Sequence, residues 1–167
     1  NSDEWVDDSG AIATSLASKG SEGESVAREI DGEDSDACGD DFRPSATPTP
    51  GAPNAFSSAG GEGGDGDGDA DTGGASGGES DCPGAFSIKL NEVLVNPEGG
   101  DAGNEWIELY NAGSSTVNLD GWSVEGGVSS VSSYVTFEGG VSLEAGAHLL
   151  IGDSEVTGAD VVDSISM

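Results

Sequence analysis

An all-β sandwich or barrel is the fold class this sequence predicts, and three observations predict it. Short apolar segments from residue 87 onward alternate with polar neighbours at period 2. Turn residues (Gly, Asn, Pro) separate those segments at regular spacing. No stretch of that part of the sequence carries an amphipathic helical period. Glycine supplies 29 of the 167 residues, far above the usual share of about 7%.

The elements follow in order. Ser87–Val95 begins with Ile88 and Leu90 alternating, then runs Val93-Leu94-Val95. That predicts a strand that becomes fully buried, or bulges, near Glu92. Asn96-Pro97-Glu98-Gly99-Gly100 ends it with turn chemistry. Over Glu105–Asn111, Ile107 and Leu109 share one face, while Trp106, Glu108 and Tyr110 share the other. Asn111-Ala112-Gly113-Ser114-Ser115 is the next turn, with the Asn111 amide expected to bond its own turn backbone. Val117 with Leu119, and Gly121-Trp122-Ser123-Val124, give two short strand segments. Leu119-Asp120-Gly121-Trp122 fits a corner, because glycine permits backbone angles closed to other residues. Tyr134–Phe137, Val141–Leu143 and Ala147–Ile151 follow, separated by Glu138-Gly139-Gly140 and Glu144-Ala145-Gly146. Val161-Val162 starts one more strand.

Composition divides the chain in three. Ser57–Asp81 holds no bulky apolar residue. Such a segment buries too little surface to offset its ordering entropy, so residues 57–83 read as a flexible, self-repelling Gly/Asp linker. Residues 1–56 and 84–167 flank it. Neither flank alone reaches the ~100 residues of a two-sheet sandwich.

The charge excludes several functions. There are 33 acidic residues against four basic ones (Lys19, Arg28, Arg43, Lys89), for a formal net charge of -29. The three segments carry -10, -7 and -12, so the acidity is global. With no basic patch, phosphate-contacting nucleic-acid binding is not expected. No stretch approaches ~18 consecutive apolar residues, so no membrane insertion is expected. The acid reads first as a solvated surface and second as divalent-cation binding. The EF-hand pattern fails at Ala70, where a glycine is required. Gly60-Gly61-Glu62-Gly63-Gly64-Asp65 matches one opening of a β-roll repeat, but a roll needs stacked copies. Weak Ca²⁺ binding by Asp65, Asp67, Asp69 and Asp71 is the remaining cofactor expectation.

Nothing in the sequence assembles a catalytic set. His148 stands on a strand segment and is expected to face solvent. No serine or cysteine sits in a nucleophile elbow, and no Gly-rich loop with a lysine cradles phosphate. Carboxylates are too abundant for a glycosidase-like pair to stand out. Glu92, Glu105 and Glu108 are the informative acids, because they lie on two neighbouring strands and Glu92 interrupts an apolar run. A buried carboxylate needs a partner, and Lys89 is the one cation of this flank. Backbone N–H groups or a hydroxyl are the first expectation for that partner, and a bound cation the second. Trp106 and Trp122 are expected in the core or at its rim rather than as a ligand platform.

Asn91-Glu92-Val93, Glu105-Trp106-Ile107-Glu108-Leu109-Tyr110-Asn111, Val117-Asn118-Leu119-Asp120-Gly121-Trp122 and Leu143-Glu144-Ala145-Gly146 together resemble the lamin tail domain. The resemblance covers about Ile88 to Ile151. It implies an immunoglobulin-like β-sandwich, no enzymatic activity, and kinship with accessory modules of secreted or surface proteins, bacterial ones included. Residues 1–56 resemble the end of another copy. Glu24–Arg28 is similar to a late strand, Asp34–Phe42 to an Asp-rich loop with a following aromatic, and Thr49-Pro50-Gly51-Ala52-Pro53-Asn54 to the closing Pro-Gly-x-x-Asn. The expected architecture is therefore incomplete, or a sandwich assembled from two partial copies, with late strands in 1–56 packing on early strands in 84–167.

The resemblance implies a non-catalytic extracellular or cell-surface module that mediates adhesion or binds protein or glycan. The binding candidates are Glu92, Glu105, Trp106, Glu108 and Asn111. The alternatives are a structural spacer, or a Ca²⁺-stabilised stalk, for a catalytic domain elsewhere in a longer multidomain chain. Cys38 stands in the Asp-rich loop before the end of the first copy and Cys82 just before the first strand of the next, so each full copy is expected to join a Cys at its start to one near its end. Cys38 and Cys82 then either pair with each other or remain two free thiols. Oxidised cysteines fit a secreted setting. Thiol titration without reductant checks the pairing: no free thiol is expected from a Cys38–Cys82 bond, and two free thiols contradict it.

Overall fold

The structure is a computed structural model, and it describes residues 20–34, 41–56, 87–126, 132–163 and 165. Cys38, Cys82 and Asp65, Asp67, Asp69 and Asp71 lie outside the described residues.

The strands are β1 (Ser25–Arg28), β2 (Phe42–Ser45), β3 (Ile88–Leu94), β4 (Trp106–Asn111), β5 (Val117–Asn118), β6 (Ser123–Gly126), β7 (Ser132–Thr136), β8 (Ser142–Leu143), β9 (His148–Gly152) and β10 (Val161–Val162). Six of them form one mixed sheet in the order β10-β9-β4-β3-β1-β2. All its pairings are antiparallel except β10 with β9. β5 pairs with β8 and β6 with β7 as two-stranded ribbons. The two ribbons meet at the predicted corner. Trp122 N donates to Leu119 O at 2.9 Å, Gly121 has φ +82, and Leu119 N donates to Val141 O at 2.9 Å.

The larger apolar cluster lies between the main sheet and the ribbons. It joins Ile107 and Leu109 of β4 and Leu149 and Ile151 of β9 to Leu119, Val135, Phe137, Leu143 and Ile165. A smaller cluster of Leu94, Trp106 and Leu150, with Val156 and Ala159 against it, covers the other face of the sheet. β4 is therefore buried on both faces, and its alternation separates Ile107 and Leu109 from Trp106 as period 2 requires. This two-layer all-β arrangement is an immunoglobulin-like sandwich.

The two flanks share one sheet. β1 pairs with β3 through Val26↔Val93 and Ala27↔Glu92. The expectation that late strands of 1–56 pack on early strands of 84–167 is met at this pairing. Neither apolar cluster, however, contains a residue from 20–56.

Two local features differ from or refine the sequence reading. β2 was hidden by Pro44, since proline cannot donate to a ladder and argues against a central strand. In the sheet β2 is the outermost strand, paired with β1 alone, and an edge tolerates proline. The irregularity expected near Glu92 is a register shift in the β3–β4 ladder: Leu90 faces Leu109, Glu92 faces Glu108, and Asn91 is the extra residue.

Candidate functional site

That extra residue builds the site. Period 2 alone would turn Asn91 and Glu92 to opposite faces. The bulge lets both point to one face, where Asn91 Nδ2 donates to Glu108 Oε1 at 2.9 Å. Glu92 and Glu108 are cross-strand partners, and both are fully buried. Like charges placed directly opposite destabilise a sheet, and a buried carboxylate without donors is costly. Donors from the N-terminal flank resolve the conflict.

Glu92 takes three of them. Ser25 Oγ donates to Oε1. Thr49 N lies 3.2 Å from Oε1 and 3.1 Å from Oε2. Thr49 Oγ1 donates to Oε2 at 2.8 Å, closer than its 3.2 Å approach to Asn54 Oδ1. Glu108 Oε2 accepts from Gly51 N at 2.6 Å. Thr49 and Gly51 thus cap both carboxylates with backbone N–H groups and a hydroxyl. Lys89, the one cation of the C-terminal flank, instead pairs with Asp34 at 2.6 Å.

Asp31 extends the network. Its Oδ1 accepts from Asn54 N at 3.0 Å and Asn91 Nδ2 at 3.1 Å, and its Oδ2 lies 3.3 Å from His148 Nε2. Gly32 N donates to Asn91 Oδ1 at 3.2 Å. Gly32 has φ +70, and a Cβ there would lie 2.7 Å from the Tyr110 ring, so only glycine lets this turn close over the sheet. Asn54 Nδ2 donates to Arg28 O at 2.9 Å. Arg28 is buried, donates from Nε to Leu90 O at 2.7 Å and from Nη1 to Glu33 O, pairs with Asp41 at 3.3 Å, and lies 4.4 Å from the Phe42 ring centre.

His148 corrects the sequence reading. It was expected to face solvent, but its side chain is only 10% exposed and lies against Asp31 and the Tyr110 ring, 4.8 Å between centroids. The covering turn comes from residues 31 and 32, which no local pattern around His148 announces.

Of the five binding candidates, the structure brings Glu92 and Glu108 together and leaves the rest apart. Glu105 is buried just before β4, where its carbonyl accepts from Asp153 N at 3.1 Å. Trp106 is in the smaller apolar cluster. Asn111, at the other end of β4, bonds its own turn as expected: Gly113 N donates to Oδ1 at 3.0 Å, and Nδ2 donates to Ser115 O at 2.9 Å. Its Nδ2 also donates to Leu143 O at 2.9 Å, which ties the turn to β8. Sequence reasoning missed Ser25, Asp31 and His148 as members of the network. Asn91, Thr49, Gly51 and Asn54 did stand in quoted motifs, so their signal was present without a function. Among the described residues, no group of three or more His, Cys, Asp or Glu side chains is arranged to hold a metal ion.

The strand order, the two layers and the core define the class as an immunoglobulin-like β-sandwich. Residues 84–165 match the family model of the Lamin Tail Domain. The matched stretch contains β3 to β10, hence both apolar clusters, while β1, β2 and the closing segment lie outside it. No curated protein and no solved structure matches the chain. The Lamin Tail Domain is an immunoglobulin-like family and is generally non-catalytic.

Two outcomes follow from the carboxylate geometry. Glu92→Gln replaces one acceptor oxygen with an NH₂ group facing Ser25 or Thr49. It should lower the unfolding free energy by about 1–3 kcal/mol, read by urea unfolding with Trp fluorescence. Burial pushes the Glu108 carboxyl above its ordinary value of 4.5, with Asn91, Gly51 and His148 opposing and Glu92 adding to the rise. The folded state therefore holds this proton more tightly than the unfolded chain. The resulting stabilisation is fully present below pH 4.5 and is lost as pH rises through the raised folded value. Wild type should gain stability relative to Glu108→Gln as pH falls from 7 to 4, and a pH-independent difference would contradict the shift.

Proposed function

We propose that this chain is a non-catalytic β-sandwich module that acts as a structural spacer in a longer extracellular or cell-surface protein. One observation carries the reading: the buried polar groups most suited to chemistry are spent on holding the fold. Glu92, Glu108 and Asp31 all accept from donors within the chain, and Asn91 is one of those donors. The surface supports the same reading. The exposed large apolar side chains among the described residues are Ile30, Leu90, Val95 and Val162, all aliphatic. An adhesion face built on aromatic anchors has no candidate among them. The global negative charge keeps such a spacer soluble and away from like-charged surfaces. Residues 1–56 as the end of one lamin-tail-like copy, and 84–167 as the start of the next, fit a place within a repeat array.

The test is a binding and stability panel on the intact chain. Soluble glycans and extracellular-matrix proteins should give no saturable binding, and Ca²⁺ should raise the melting temperature no more than an ionic-strength match does. Saturable glycan or protein binding would replace the spacer reading with adhesion. A Ca²⁺-specific rise of several degrees, reversed by chelator, would replace it with a cation-stabilised stalk.

A further inference from the structure

We infer that the turn at residues 30–34 is a proton-operated latch. His148 grips Asp31 more firmly when its imidazole is charged, so the cover laid on the sheet by residues 31–34 and 49–54 is fastened by acid and loosened by base. The inference goes beyond the spacer reading and does not depend on it.

Three observations carry it. First, the register aligns Lys89 of β3, Tyr110 of β4 and His148 of β9 in one row across the sheet. Residues directly opposite in register present their side chains to the same face. Second, one short turn lies along that row and holds both of its ends. Glu33 N donates to Ile30 O at 3.1 Å, which closes the turn with Gly32 at its third position, at φ +70. A Cβ on Gly32 would lie 2.7 Å from the Tyr110 ring, so the turn rests on the middle of the row. Asp34 Oδ2 lies 2.6 Å from Lys89 Nζ at one end, and Asp31 Oδ2 lies 3.3 Å from His148 Nε2 at the other. Third, the histidine end is the more enclosed, with side chains 10% and 16% exposed against 21% and 21% at the lysine end. Solvent and salt screen a charge change less there. Asp31 also carries that change onward, because its Oδ1 accepts from Asn54 N at 3.0 Å and from Asn91 Nδ2 at 3.1 Å.

The two ends of the turn differ in chemistry. Lysine is a grip that stays charged through the neutral range, whereas histidine is the side chain whose charge changes there. A neutral imidazole offers Asp31 one ordinary hydrogen bond. A proton taken from solvent makes that bond charge-assisted, which is roughly twice as strong. The groups facing His148 are Asp31 of the turn, Tyr110 and Glu108 of β4, and beyond them Lys89 and Glu92 of β3; Asp160 accepts from Leu150 N further along β9. Glu108 titrates on its own account, its carboxyl pushed up by burial, so its share is separated by its own variant. Proton uptake that accompanies closure makes closure firmest at low pH and weaker as pH rises.

The experiment follows amide hydrogen exchange of the intact chain by NMR between pH 8 and pH 5, as protection factors relative to Ile151 in the core, alongside the His148 ring resonances. Gly32 N and Asn54 N report the turn and the closing segment. Their relative protection should rise about fivefold to tenfold on acidification, along the same curve as the ring shifts. His148→Gln should remove that rise except for the share that Glu108→Gln also removes. Lys89→Gln should lower protection by one factor across the whole pH range. The wild-type comparison of protection with ring titration stands even where a variant does not fold. Protection that fails to follow the ring titration, a rise unchanged by His148→Gln, or a loss in Lys89→Gln that itself varies with pH would each overturn the inference.

Discussion

Two carboxylates facing each other inside a sheet are the constraint on which this fold depends. Glu92 and Glu108 are register partners on adjacent strands, and solvent reaches neither. Gly32, Thr49 and Gly51 lie over that face of the sheet and bond to Asn91, Glu92 and Glu108 there. The ion pairs among the described residues lie elsewhere, on Arg28, Arg43, Lys89 and His148. The pair is held instead by neutral donors, namely two backbone N–H groups, two hydroxyls and one amide. Neutral donors escape the double desolvation that a buried ion pair incurs. All of them but the Asn91 amide arrive from outside the strand pair, and the segment Thr49–Asn54 reaches the carboxylates from more than forty residues away in sequence.

The scarce cations follow from the same constraint. Arg28, the last residue of β1, is buried against β3. There it satisfies Leu90 O and Glu33 O while offsetting Asp34 and Asp41. Lys89 holds Asp34 from the opposite side of the seam. Arg43, by contrast, is on the edge strand, half exposed, pairing with Glu29 and stacking at 4.0 Å over Phe56. Two of the four basic residues of a strongly acidic chain thus stand at the junction between its flanks. Charge repulsion between those flanks is opposed where they meet.

What was legible in the sequence and what was not divides along one physical line. Local pattern placed β3 with its irregularity at Glu92, both faces of β4, the corner at Gly121 and the self-bonded turn of Asn111, because each depends on residues within a few positions. β2 escaped because Pro44 carries a local signal against strands that only its edge position lifts. His148 was misplaced because its cover, Asp31, is 117 positions away. Residue type and local position do not tell the five binding candidates apart. Only the partners contributed by the other flank separate Glu92 and Glu108, which share a network, from Trp106 and Asn111, which serve packing and turn closure.

The separation between core and seam also bears on how the fold divides its stability. Hydrophobic burial is non-directional and tolerates modest rearrangement, so the clusters around Ile151 and Trp106 supply cohesion without exact geometry. Hydrogen bonds to buried acids are directional, and their largest effect is the penalty for leaving them unmade. One part of the chain supplies cohesion and the other supplies specificity. The boundary between those roles coincides with the edge of the matched family stretch, with β3 on one side and β1 on the other.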